Sequence, residues 1–521
     1  MKTLILTFIF IPSIIFAQYT NVQITNISNP EEVSIMMDPK NTNRLVAGCN
    51  INAYFYSSNG GLNWTRGTLS STYGVWGDPC IIIDTLGHFY YFHLSNPSSG
   101  GSWIDRMVVQ KSTNGGVNWS TPGAYFGLFP PKQQDKEWAV VDTRNNNIYV
   151  TWTQFDSYGS ASPLDSSIIF FSKSTNAGTN WSTAMRINTK AGDCIDEDNT
   201  VEGAVPAVGP NGEIYVAWTG PLGLVFDRST DAGNTWLSND IPITSQPGGW
   251  DYSIPGLQRC NGLPITCCDL SSGPNRGTVY VNWSDQRNGS TDTDVFLIKS
   301  TNGGTNWSTI KRVNDDPPGK HQFFTWMTVD QKTGYLYFVF HDRRNYTDTR
   351  TDVYIARSTD GGETFQNIKV SATPFTPSAS VFFGDYNNII AHDNVVRPIW
   401  TRLDGMQLSI WTAIVDFTTG VSDPAGNIPE NFSLSQNYPN PFNPETKIKF
   451  EVPVTNGADQ TEVKLIIYDA LGKEVTRLVE GLLHHGTYEV TWLGLGYPSG
   501  TYFYKLVSGD FSDTKKMVLI R

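Results

Sequence analysis

The chain has 521 residues, too many for one ordinary domain. Aromatic residues make up 13% and charged residues 17%, with 47 Gly and 29 Pro, a composition suited to strands and turns. The net charge of −12 leaves no basic footprint for nucleic acid, and no stretch beyond the N-terminus is long and apolar enough to span a bilayer.

Residues 1–17 read as a secretory signal peptide: Lys2, an apolar run from Leu4 to Phe16, then Ala17 before Gln18. A membrane anchor is the alternative, but the run is short and Pro12 interrupts it. Export permits disulfides among Cys49, Cys80, Cys194, Cys260, Cys267 and Cys268. Their spacing fits no metal-ligand pattern. Cys260 with Cys267 or Cys268, or Cys194 with Cys260, are the candidate pairs, and the sequence leaves the connectivity open.

One eight-residue phrase recurs six times, at Ser57 (SSNGGLNW), Ser112 (STNGGVNW), Ser174 (STNAGTNW), Ser229 (STDAGNTW), Ser300 (STNGGTNW) and Ser358 (STDGGETF). Successive copies lie 55, 62, 55, 71 and 58 residues apart, room for one four-stranded sheet each. The phrase reads as a hairpin clasp. A polar side chain accepts a backbone N–H, small residues take a turn with φ > 0, and the closing Trp or Phe folds back onto a sheet. It resembles the Asp-box (BNR repeat) of sialidases and other propeller families, with Asn for Asp in four copies.

Each repeat has the same grammar of strands. The third repeat predicts strands at Trp138–Asp142, Ile148–Gln154, Ser167–Ser174 and Thr183–Asn188. The sixth predicts Phe324–Asp330, Tyr335–Asp342, Asp352–Ser358 and Gln366–Val370. Three further strands (Asp385–Ala391, Val396–Arg402, Leu408–Asp416) lack a fourth, which Asn21–Asn26 supplies by closing the ring. The expected fold is all-β: a seven-bladed β-propeller over residues 18–418. Six blades is the alternative if the weak first repeat, Val33–Trp64, is not a full sheet.

After a linker at 419–428 the grammar changes. Residues 429–521 predict a small immunoglobulin-like β-sandwich with strands at Val463–Tyr468, Gly486–Trp492, Gly500–Val507 and Lys516–Ile520. FSLSQNYPNPFNPETKIKFEVP, YDALGKEV, PSGTYFYKL and the terminal KKMVLIR closely resemble the type A C-terminal sorting domain of the type IX secretion system. That resemblance implies a Bacteroidota-type bacterium and contact with the type IX machinery. It further implies passage across the outer membrane, then removal of the tag with release or surface attachment.

A ligand site belongs on the propeller face opposite the clasps, where the long loops gather. The starts of the first strands offer Asp78, Glu137, Glu202, His321, Asp385 and Tyr386 there; the ends of the second strands offer Asp285, Arg287, Asp342, Arg344 and Arg402. Arg287 and Arg344 either brace their own loops against Asp285 and Asp342, or converge with Arg402 on an anionic ligand. The sialidase resemblance implies an arginine triad on a substrate carboxylate, a Tyr–Glu nucleophile pair and an Asp acid/base. Tyr386 with Glu137 or Glu202, and Asp78 or Asp385, occupy the matching kinds of position. The Arg-Ile-Pro motif of that family is missing, since its place reads Glu31-Glu32-Val33-Ser34-Ile35, and Arg44 falls on the clasp side. Paired carboxyls at the mouth suit other glycosides equally well.

The insertion Gln246–Asp269 carries Trp250, Tyr252 and Pro255, set either to stack on sugar rings or to pack within the loop. Asp193–Asp198 offers oxygens to a structural Ca²⁺ but lacks the EF-hand glycine, so a solvated loop is expected. No cofactor motif occurs. The sequence therefore predicts a secreted or surface-attached propeller whose partner is a glycan or another cell-surface ligand. It is either a glycoside hydrolase of exo-sialidase-like type or a non-catalytic adhesion, lectin-like or scaffold propeller.

Overall fold

Strands that are apolar on both faces need cover from both sides, and each repeat finds it by stacking between two others. In the computed structural model, which describes residues 19–417, 429–454, 460–494 and 497–520, the repeats form seven four-stranded antiparallel sheets. The signal peptide and the whole linker expected from the sequence lie outside the described residues. The chain divides into a unit at Tyr19–Asp416 and a second within Phe417–Arg521.

Blade 1 is Val33–Asp38, Asn41–Cys49, Ala53–Ser57 and Thr65–Thr68, a full sheet, which excludes the six-bladed alternative. The first strands of blades 2 to 7 are Cys80–Ile83, Gln133–Asp142, Glu202–Val208, Ile265–Cys268, Gln322–Val329 and Asn388–His392. Each touches the first strand of the next blade, and the last touches the first, so the ring is closed around one axis. Closure is covalently staggered: Thr20–Thr25 pairs with Gln407–Asp416 and becomes the outer strand of blade 7. Trp152, Trp218, Trp283 and Trp400, one from each of four second strands, are fully buried between sheets.

The clasps have the expected geometry, repeated six times. The Ser Oγ accepts the N–H of the Gly four residues on at 2.8–3.0 Å and donates to the Asn or Asp side chain two residues on. The structure adds a reason for the invariant second small residue. Gly304 has φ +84°, and a Cβ there would overlap the ring of Phe226 in the preceding blade; Gly233 stands likewise against Phe171. The closing aromatics of blades 2 to 5 cross the same boundary: Trp119 meets Tyr54, Trp181 meets Phe126, Trp236 meets Phe171 and Trp307 meets Phe226, at centroid distances of 4.5–5.7 Å. The clasp is therefore an interblade joint. Gly304→Ala should cost about 2–4 kcal/mol, combining backbone strain with overpacking, and a urea midpoint unchanged from wild type would dismiss that role.

All six cysteines are unbridged thiols, so none of the candidate disulfides forms. Cys267 lies on the first strand of blade 5, and its thiol donates to the Met327 carbonyl (3.4 Å) of blade 6.

The second unit contains a three-stranded sheet (Ser433–Leu434, Glu445–Val452, Gly486–Leu493) and a four-stranded sheet (Glu474–His484, Gln460–Tyr468, Gly500–Ser508, Phe511–Leu519). Ile448, Phe450 and Trp492 of one share a buried core with Leu465, Tyr504 and Met517 of the other, a sandwich-like arrangement. No helix among the described residues is long and apolar enough to cross a membrane.

Candidate axial site

The first strands do not start straight. In six blades a residue at this point has left-handed backbone: Glu32 (φ 48°), Asp78 (52°), Lys136 (53°), Gly203 (71°), Phe324 (51°) and Gly384 (86°). In blades 3, 4 and 6 the register against the second strand slips at this point, between Asp135 and Trp138, Glu202 and Val205, and Phe323 and Trp326. A bulge re-aims side chains, and a non-glycine residue held there is strained, a combination that concentrates at functional sites. Here it brings polar side chains from separate blades together at the mouth of the axis.

Lys136 is the hub. Its Nζ lies 2.9 Å from Asp385 and 3.7 Å from Asp78, and all three side chains are buried. Arg259 binds Asp385 from the other side through Nε (2.9 Å) and Nη2, and reaches Asp196 at 3.0 Å. Asn261 donates to the Asp385 carbonyl (2.9 Å), and Asn50 joins the Asp78 N–H (2.7 Å) to Glu32. Burial alone would push Asp385 up, but Arg259 and Lys136 together hold its carboxyl well below the usual range. The neighbouring carboxyls go the other way. Burial, reinforced by Asp78, pushes Glu137 well up; burial with Asp196 does the same to Glu202. Burial also takes Asp135 to about 8 and Glu31 to about 7, and drives the Glu32 carboxyl and the Tyr386 phenol well up. Both carboxyl oxygens of Glu137, Oε1 of Glu202 and the Tyr386 hydroxyl have no hydrogen-bond partner among the described residues.

The structure thus brings together five of the residues singled out from the sequence: Asp78, Glu137, Glu202, Asp385 and Tyr386. It does not gather the arginines. Arg287 is held by Asp285 (2.5 Å) and lies over the Phe296 ring; Arg344 by Asp342 (2.7 Å) and Asp315; Arg402 by Asp404 (2.6 Å) and the Thr373 carbonyl. Each arginine closes on an aspartate two residues away, while Asp315 and Thr373 lie 29 residues from theirs on the connection entering the same blade, the geometry of a braced loop. His321 is buried against Thr293 (3.0 Å), and burial aided by Arg343 pushes its imidazole down to about 4.

Trp250 is only 4% exposed and donates to the Thr200 carbonyl (3.2 Å). Tyr252 is buried with its hydroxyl 2.7 Å from Ser284. The insertion therefore packs its own aromatics rather than presenting them, and its tip delivers Arg259 and Asn261 to the axis. The acidic stretch is spent internally: Asp193 accepts from Thr200 (2.9 Å), Asp196 from Tyr158 (2.6 Å), and Asp198 from the Asp251 N–H (2.8 Å). Among the described residues no group of three His, Cys, Asp or Glu side chains is set to hold a metal ion.

Lys136, Arg259, Glu32 and Asp135 were not singled out by sequence. The left-handed position carries Glu, Asp, Lys, Gly, Phe and Gly in turn, so no residue type marks it. Below the charged layer, the Trp138 ring meets Trp326 at a tilt (4.5 Å) and Tyr386 edge-on (5.1 Å), with a void of about 20 Å³ beside them. Beyond that layer the axis is an apolar shaft of about 310 Å³ lined by all seven first strands.

The raised carboxyls fix a pH dependence. Each carries in the folded state a proton that the unfolded chain releases near pH 4, so stability falls as pH rises from about 4 to about 8. Asp385 acts oppositely, stabilising above its unfolded pKa and losing that contribution as pH falls through its lower folded one. From these groups the propeller should be most stable near about pH 4, each raised group contributing a slope of up to about 1.4 kcal/mol per pH unit. Asp135→Asn should flatten the curve between pH 5 and 7. Urea midpoints that climb steadily from pH 5 to 8 would contradict the assignment.

Residues 436–520 match the Secretion system C-terminal sorting domain family. A xyloglucanase of Paenibacillus sp. is 25% identical over 222 residues, which is 40% of this chain and 19% of that protein; the chain thus spans only a small part of that relative. Among solved structures the chain is similar to a Hadza microbial sialidase (13% identity, 71% of this chain and 73% of that one, TM-score 0.41). It is similar also to the α-L-arabinofuranosidase of Fusarium graminearum (12%, 77% and 98%, 0.43) and to Trypanosoma rangeli sialidase (11%, 87% and 84%, 0.40). The chain is a seven-bladed β-propeller that carries, at residues 436–520, a secretion system C-terminal sorting domain.

Proposed function

We propose that this is a secreted, cell-surface-directed, sialidase-like Asp-box propeller that engages glycans at the axial mouth, with glycoside hydrolysis as the chemistry of its carboxyl groups. The observation that carries the reading is the splitting of those carboxyls. Burial pushes Glu137 and Glu202 well up while Arg259 and Lys136 hold Asp385, in the same cluster, well below the usual carboxylate range. Carboxyls with diverging pKa values in one site are what acid–base cleavage of a glycosidic bond requires. Glu137 is the proton donor to the leaving oxygen. Asp78, ion-paired to Lys136 and nearer the surface, is the partner carboxylate, and Tyr386 lies beneath them. The C-terminal domain directs the chain to the type IX machinery and is then removed, after export by the signal peptide.

The non-catalytic reading has its own support. Glu137 and Glu202 are each 1% exposed, and the void at Tyr386 holds no more than a water. Release of reducing ends from a panel of plant polysaccharides and sialosides tests the two. Turnover supports the hydrolase; retention on a glycan without turnover supports the lectin-like propeller; neither would remove glycans from the proposal.

A further inference from the structure

Resting on the glycan reading, the substrate class follows from how the charges at the mouth are spent. An acidic sugar needs an uncommitted cation. The two cations of the axial cluster, Lys136 and Arg259, are shared among Asp78, Asp196 and Asp385. Arg287, Arg344 and Arg402 are neutralised by Asp285, Asp342 and Asp404. Arg343 keeps one unpartnered nitrogen, but its guanidinium is 3% exposed beneath the Pro255 carbonyl and Thr351. A uronate or sialate would meet a carboxylate-rich mouth, where Lys320, beside His321, gives its ammonium to the Tyr346 carbonyl rather than to a carboxylate. An uncharged sugar needs apolar faces and hydroxyl acceptors instead.

Those are present on the rim. Trp103 is 40% exposed, an unusual state for an indole, and meets Tyr158 edge-on at 5.4 Å. The Tyr158 hydroxyl donates to Asp196 (2.6 Å), which also accepts from Arg259, itself bound to Asp385. One exposed ring is thus tied by consecutive contacts to the axial carboxyls. Trp76, 39% exposed, leads into Asp78 from the neighbouring loop.

We infer that the mouth takes an uncharged glycan, with Trp103 as its stacking platform and Asp196 accepting from its hydroxyls. Affinity electrophoresis of the full chain through xyloglucan, galactomannan and barley β-glucan, against polygalacturonate and polysialic acid, tests this. Retention by at least one neutral polymer is expected, weakened about tenfold in Trp103→Ala and not by either acidic polymer. Trp103 is a surface side chain, so the variant keeps its fold, which an unchanged melting temperature checks. Stronger retention by an acidic polymer, or neutral retention unaffected by Trp103→Ala, would overturn the inference while leaving the glycan reading in place. If no polymer of either class is retained or cut, the glycan reading itself falls.

Discussion

Lys136→Met should destabilise the propeller unit by about 3–5 kcal/mol, the cost of removing one partner from a buried ion cluster. The ammonium is buried between Asp385 and Asp78, and its own pKa, which burial would lower, is held well up by those carboxylates. Without it Asp78 has no ion partner and Asp385 keeps only Arg259. Adding Asp385→Asn to Lys136→Met should recover part of the loss, because a neutral amide tolerates burial better than a stranded carboxylate. A coupling of about 0.5–3 kcal/mol is the expected range for groups in contact. Urea unfolding at pH 7 reads both. A loss below about 1 kcal/mol in the single variant would mean the cluster is solvated and the axial network contributes little.

Glu137→Gln should reduce glycoside turnover by about 10²–10⁴-fold, the usual contribution of a positioned general acid, while leaving stability within about 1 kcal/mol. The contrast comes from the protonation state. Burial favours the protonated form of Glu137, which the amide matches in charge and shape, and its oxygens have no side-chain partner to lose among the described residues. Only the transferable proton disappears. Glu202→Gln provides the comparison, since the same burial acts there. Full activity in the Glu137 variant would move the acid role to Glu202, and full activity in both would remove these carboxyls from the chemistry.

The clasps, the strand grammar and the ring-closing N-terminal segment were legible because they are local or periodic. Ser, Asx and Gly at fixed offsets dictate a turn, and apolar runs on both faces dictate stacked sheets. The limits of the first strands were misplaced for a related reason. Blade 3 begins at Gln133 rather than Trp138, because the bulge at Lys136 interrupts the alternation that marks a strand while the pairing continues through it.

The site was legible only in part. Asp78, Glu137, Glu202, Asp385 and Tyr386 stand out as polar residues where apolar strands begin. Their meeting with Lys136 and Arg259 depends on backbone turned left-handed at six sequence-unrelated positions, and on a long insertion whose tip returns to the axis. The loops that carry Asp285 with Arg287 and Asp342 with Arg344 mislead for the opposite reason. Their arginines look free along the chain, but an aspartate two residues away is within reach of a guanidinium, so each pair closes locally before any distant blade can compete. Sequence by itself determined the repeat, the clasps and the C-terminal domain, since turn chemistry and periodicity act over a few residues. The tertiary structure alone decided which charges are paired, because burial and ion pairing depend on side chains that closure brings together from blades hundreds of residues apart.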